Sequence, residues 1–140
     1  MDCTVSWLGN AGMAFSAETG SGHLINMDGA PESGGRNLAP RPMELLLAGA
    51  GGCSAFDVVL ILQKARQAVS GCEVKIKADR AREDPKVFTK IDLHFTVTGK
   101  DLDPAKVDRA VKLSHDKYCS ATAMLSKTAE LTYSIEVRSE

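Results

Sequence analysis

Residues 42–66 read PMELLLAGAGGCSAFDVVLILQKAR, and the rest of the chain is organised around this stretch. From Leu45 to Leu62 it is apolar on nearly every side, which in a helix means burial on all faces instead of one wet face. Leu46, Leu47, Val58, Val59, Ile61 and Leu62 are expected to supply that burial. Pro42 suits the first helical position, and Glu44 stands in the first turn, where the helix dipole favours an acid. The run Gly49-Ala50-Gly51-Gly52 is costly in a helix interior, about 1 kcal/mol per glycine relative to alanine. It implies that something comes close to the backbone. A thiol, Cys53, lies near the middle. The helix is nearly long enough to span a bilayer, but Glu44, Ser54, Asp57 and the glycines interrupt it, and a solitary span would leave the amphipathic strands without a role. A soluble core helix is the expectation.

Working outward, 140 residues of which 44% are hydrophobic suit a single domain, 1–140, with its own core. Seventeen basic and 18 acidic residues are mixed along the chain for a formal charge of -1, so neither a basic field for nucleic acid nor an acidic tail for a basic partner is present. The opening MDCTVSWLGNAG has no positive segment followed by an apolar one, which reads as cytoplasmic and not as a signal peptide. No membrane partner is expected. Four cysteines in a reducing compartment argue against a structural disulfide framework and leave buried inert thiols or redox chemistry.

Ahead of the long helix, Asp2 to Leu8 alternate, with Cys3, Val5 and Trp7 predicted on a packed face. Turns at Gly9-Asn10-Ala11-Gly12 and Thr19-Gly20-Ser21-Gly22 separate this strand from predicted strands at Met13 to Ala17 and His23 to Met27, a small antiparallel meander. Asp28 to Pro42 is a long loop rich in Gly, Pro, Ser and Asn, with Arg36 and Arg41 its only basic groups. After the helix, Ser70-Gly71 is read as its end. Strands follow from Cys72 to Arg82, with Cys72, Val74, Ile76 and Ala78 inward, and from Val87 to Thr98, with Ile91, Leu93, Phe95 and Val97 inward. Asp103-Pro104 starts a second helix with Val107, Ala110, Val111 and Ser114 on its inner stripe, running to about Tyr118. Ser120 is read as the cap of a short third helix through Lys127, and Leu131, Tyr133, Ile135 and Val137 alternate in a closing strand. The fold class is α+β.

Cys3 and Cys72 fit strand faces as packing, which singles out Cys53 and Cys119 beside helices. Reactivity needs thiolate, and a helix dipole acts mainly within its terminal turn. Cys53 lies three turns beyond Pro42, and Asp57, one turn further on the same face, opposes its ionisation unless a cation from Arg36 or Arg41 pairs with it. His115 and Cys119 are four apart; with Cys53 they make a weak candidate for three zinc-type ligands, and His115 alone is a candidate proton acceptor for Cys119. The bland reading of His115 is a surface residue. No phosphate loop, catalytic Ser-His-Asp set or carboxylate pair can be argued.

The segments Pro42-Met43-Glu44-Leu45, Ala50-Gly51-Gly52-Cys53-Ser54-Ala55 and Lys117-Tyr118-Cys119-Ser120-Ala121 together resemble the OsmC/Ohr family of organic hydroperoxide reductases, most closely its YhfA-like branch. The resemblance covers nearly the whole chain. It implies an OsmC-like fold of antiparallel sheets with a long buried central helix and a second cysteine-bearing helix, in an intertwined homodimer whose central helices pack together at the glycine run. It further implies that Cys53 is a peroxidatic thiolate attacking the O–O bond of an organic hydroperoxide and that Cys119 resolves the sulfenic acid as a disulfide. A dithiol such as a lipoyl protein or a thioredoxin-like protein would restore both, with no cofactor and no metal. The sequence also departs from the family pattern. Met43, not a glutamate, follows Pro42, so Glu44 is rotated by about 100° around the helix, and the meander from Cys3 to Met27 contains no arginine. Arg36 and Arg41 are substitutes by chemistry for the activating arginine, with Glu44 as their possible support, and Ser120 replaces the proline that commonly follows the second cysteine. A non-peroxidatic dimeric module that binds a hydrophobic ligand, or a slow cysteine redox sensor, is the alternative.

Overall fold

The computed structural model describes all 140 residues, in two compact units, Met1–Leu47 and Ala48–Glu140. In the first, β1 (Cys3–Trp7), β2 (Phe15–Thr19) and β3 (Leu24–Met27) form an antiparallel meander in that order. The second and third strands begin later than the alternation indicated. Asn10 and Ala11, both at positive φ, make the first turn, which is closed by Trp7 Nε1 donating to the Gly12 carbonyl at 2.9 Å. Val5 (57%) and Trp7 (58%) are exposed, as is Cys3. Reading Cys3 as packing is therefore wrong for this chain: a period of two identifies a strand but does not guarantee a layer over either face.

The loop after β3 is built around Asp28. Its carboxylate accepts the backbone N–H groups of Gly29 (2.7 Å), Arg36 (3.0 Å) and Leu38 (3.1 Å). Those donors hold its pKa below the ordinary value of 3.8, the Leu38 N–H foremost and against the opposing effect of burial, with Arg36 and Gly29 adding to it. A 3-10 turn at Pro31–Ser33 reverses the chain so that Gly35 passes Gly29. A Cβ on Gly35 would strike the Gly29 backbone, so glycine is required there.

The long helix α1 (Pro42–Lys64) forms as expected. Its all-round burial does not: the buried residues are Ala50, Gly51, Ser54, Val58 and Leu62, a stripe of i, i+4 steps, while Leu46 (52%), Phe56 (68%) and Leu60 (37%) are exposed. By length and apolarity alone it would also cross a membrane, with a mean hydropathy of 2.1 over its most apolar window. The buried stripe makes it the core helix of its unit. It ends at Lys64, earlier than Ser70-Gly71, through Arg66 at φ 57. Gln67 N–H bonds to the Leu62 carbonyl and Arg66 N–H to that of Gln63, the paired C-terminal closure of a Schellman motif with arginine where glycine is usual. Ser70 and Gly71 lie inside the next strand, at a register shift.

In the second unit, β4 (Ala68–Arg80) and β5 (Phe88–Lys100) make a long antiparallel hairpin, and β6 (Glu130–Ser139) pairs with β5 in parallel, giving the order β4-β5-β6. The second sheet is thus mixed. A crossover of helices between β5 and β6 brings the chain back in the same direction. These are α2 (Pro104–Leu113), a π-helical turn (Ser114–Tyr118) and α3 (Ser120–Leu125). Asp103 caps α2 by accepting the Ala105 N–H, with Pro104 at the first position. The core joins the predicted inner face of β5 (Ile91, Leu93, Phe95 and Val97) to Val58 and Leu62 of α1 and to Val107, Ala110 and Val111 of α2, all at most 3% exposed.

Candidate functional site

Two elements of the second unit deliver the two helix cysteines to one place. Cys53 projects from the middle of α1 and is half-buried; Cys119 follows the π-helical turn and is 2% exposed. Both are reduced, and their sulfurs lie within 4.8 Å of one another. The turn is what the periodicity could not show. α2 stops at Leu113, and the chain widens so that Cys119 N–H bonds back to the Ser114 carbonyl at 2.9 Å, five residues earlier. Cys119, not Ser120, is then the cap of α3: its sulfur accepts the Thr122 N–H at 3.5 Å while the Thr122 hydroxyl bonds its carbonyl. α3 is also shorter than expected, ending at Leu125.

Ser54 and Ser114 complete the surroundings. The Ser54 hydroxyl, 2% exposed on the apolar stripe of α1, donates to Cys119 Sγ at 3.2 Å. The Ser114 hydroxyl lies 3.1 Å from Asp57 Oδ2 and 3.4 Å from the Ser54 carbonyl; its single proton is best spent on the carboxylate. Ser120 Oγ stands 4.0 Å from Cys53 Sγ. Burial raises the Cys119 pKa, but hydrogen bonds from Ser54, Thr122 and the Cys53 thiol outweigh it, and the net direction is below the ordinary 9.0. Cys72, by contrast, is pushed up by burial on β4, as befits an inert packing thiol.

Asp57 stands with the two sulfurs, one of its oxygens within the same 4.8 Å, as the shared helix face predicted. His115 does not join them. The π-helical turn carries its ring onto Tyr133, 5.0 Å between centroids and tilted by 55°, so the sequence-predicted set of Cys53, His115 and Cys119 is replaced by Cys53, Asp57 and Cys119. His115 makes no hydrogen bond to Cys119 either, which removes it as that thiol's proton acceptor. In the first unit, Glu44 Oε2 accepts the Arg41 N–H at 2.9 Å, reaching back over the start of α1 as in a capping box. No salt bridge joins Glu44 to Arg36 or Arg41; Arg36 is tied through its backbone to Asp28. Ser54, Ser114 and Thr122 went unread in the sequence. A serine in an otherwise apolar helix was the available signal, because a buried hydroxyl must find a partner.

The chain is thus an α+β protein that sets a cysteine from its long core helix beside a cysteine from the crossover. The family model for OsmC-like protein matches residues 34–134, and the chain belongs to this family. It is 53% identical over 137 residues to Protein YhfA of Escherichia coli K12, covering 98% of each chain. A crystal structure of a hypothetical protein from Aquifex aeolicus VF5 superposes with a TM-score of 0.85 at 31% identity, over 99% of this chain and 96% of that one. An organic hydroperoxide resistance protein OsmC from Legionella pneumophila shares the fold with a TM-score of 0.69 at 16% identity, over 98% of both chains.

Proposed function

We propose that this protein reduces organic hydroperoxides through Cys53 and Cys119. The observation that carries the reading is the pair of reduced sulfurs within 4.8 Å, one half-exposed and one buried. Exposure and acidity favour different cysteines: the donors collect on Cys119, whereas Cys53 is the sulfur a substrate can reach. Access sets the order. The Cys53 thiolate attacks one peroxide oxygen, the O–O bond breaks, and the alcohol leaves after taking a proton, giving Cys53 sulfenic acid. Cys119, held toward its thiolate form by Ser54 and Thr122, attacks that sulfur; the S–O bond breaks and the hydroxyl leaves, with a proton, as water. The resulting disulfide is reopened by exchange with a dithiol of the lipoyl-protein or thioredoxin type.

The remaining expectations fit this reading. The exposed Phe56 and Leu60 on α1 support a second copy of the chain covering that helix in a homodimer, and four free thiols support a cytoplasmic location. One observation favours a second reading as a ligand-binding module: a cavity of about 500 Å³ between α1 and β4, lined by Phe56, Val59, Leu60, Val69 and Cys72, has the size and apolarity of a small-molecule site. Peptide mass spectrometry after cumene hydroperoxide treatment separates the two. A Cys53–Cys119 disulfide is expected, and its absence would favour the binding module.

A further inference from the structure

The carboxylate beside the two thiols, Asp57, has no part in the peroxide reduction proposed above. Its carboxylate charge lies within 4.8 Å of both sulfurs. Asp57 forms no salt bridge that would cancel it. Its hydrogen bond is the one from the Ser114 hydroxyl to Oδ2, which leaves its other oxygen without a protein partner. Two soft sulfur donors, half-buried Cys53 and buried Cys119, and the half-buried Asp57 carboxylate therefore converge with no neutralising group among them. What such a set lacks is a cation.

We infer that Cys53, Asp57 and Cys119 form a binding site for a thiophilic divalent cation of the zinc class. The geometry is close to what that ion needs. Zn–S bonds of about 2.3 Å and Zn–O bonds of about 2.1 Å in a tetrahedron place ligand atoms roughly 3.5–3.8 Å apart, so donors already within 4.8 Å need only short side-chain adjustments. Hydroxyls outside the triad hold its members in place, Ser54 on the Cys119 sulfur and Ser114 on the Asp57 carboxylate, as outer partners commonly orient metal ligands. Water or the Ser120 hydroxyl, 4.0 Å from the Cys53 sulfur, is available as a fourth ligand. On binding, each thiol S–H bond breaks, its electron pair goes to the metal and its proton to solvent. One dication thus displaces two protons and meets three negative ligands. Because the same two sulfurs would make the disulfide, metal and oxidant exclude one another. The site itself requires only reduced cysteines, so it stands or falls separately from the peroxidase reading.

The test uses the full chain, reduced and free of oxygen, with Cys3 and Cys72 changed to serine so that only the site thiols remain. Titration with Zn²⁺ by calorimetry in two buffers of different ionisation enthalpy is expected to give one ion per chain and release of two protons. Co²⁺ in its place is expected to show sulfur-to-metal charge-transfer absorption with tetrahedral d–d bands. Asp57→Asn should weaken Zn²⁺ binding by at least about tenfold, within the range found for removing a metal's supporting groups. Zinc should also protect the half-exposed Cys53 thiol from iodoacetamide in the chain with Asp57 intact, a readout that needs no folded variant at that position. No saturable binding, octahedral cobalt without charge transfer, or Cys53 alkylated equally fast with and without zinc would each overturn the site.

Discussion

Replacing Ser54 with alanine isolates the hydroxyl that α1 donates to Cys119. The hydroxyl is 2% exposed and 3.2 Å from the sulfur, so nothing in solvent takes its place when it is removed. A hydrogen bond to a charged acceptor contributes about 1.5–3 kcal/mol; sulfur is a diffuse acceptor, which favours the low end. At about 1.4 kcal/mol per unit, the Cys119 pKa should rise by roughly one unit. The linkage has a definite sign. Cys119 in the folded chain ionises below 9.0, so its contribution to stability is fully present above 9.0 and is lost as pH falls through the folded value. Ser54→Ala should narrow that window from its lower edge. The assay is the ultraviolet thiolate absorbance of a chain keeping Cys119 as its single cysteine, titrated with Ser54 and with alanine. Superimposable curves would refute the assignment of Ser54 as the donor that holds the thiolate.

Three further outcomes follow from the packing. Leu62→Ala, at a fully buried position of α1, should lower unfolding stability by about 2–5 kcal/mol in urea denaturation. Gly51→Ala would bring a Cβ to 2.8 Å from Ile76 Cδ1, the free end of that side chain, which a small side-chain shift relieves, so the variant should keep part of the roughly 1 kcal/mol gain in helix propensity in urea denaturation. Asp28→Asn removes a carboxylate held below 3.8, chiefly by the Leu38 N–H. The native chain should therefore lose stability as pH falls below 3.8, a slope that the variant lacks in acid melts followed by circular dichroism.

What was legible in the sequence were the elements whose pattern is also their packing. The alternation of Ile91, Leu93, Phe95 and Val97 was read correctly because β5 is the middle strand and its inner face is covered. The same alternation misled at Cys3, Val5 and Trp7, where the strand exists and the cover does not. Along α1, composition gave the helix but not its orientation: leucines are equally apolar whether they are buried, as Leu62 is, or stay open like Leu60. The cysteine pair was singled out by its helix positions, and the family resemblance of its flanking segments supplied the roles of the two thiols. Its neighbours were hidden by the π-helical turn at Ser114–Tyr118, which shifts register by a fraction of a turn. That shift turned His115 to Tyr133 and made Cys119 its own helix cap, two consequences that a 3.6-residue period cannot show.

The central claim is that the half-exposed Cys53 is the sulfur that meets the peroxide and the buried Cys119 the one that resolves it. Stopped-flow mixing of the reduced protein with cumene hydroperoxide tests this most directly, comparing the parent with Cys53→Ser and Cys119→Ser. Cys53→Ser is expected to abolish rapid peroxide consumption, and Cys119→Ser to retain a single rapid turnover that stops at sulfenic acid. A Cys53→Ser protein that consumes peroxide as fast as the parent would contradict the account.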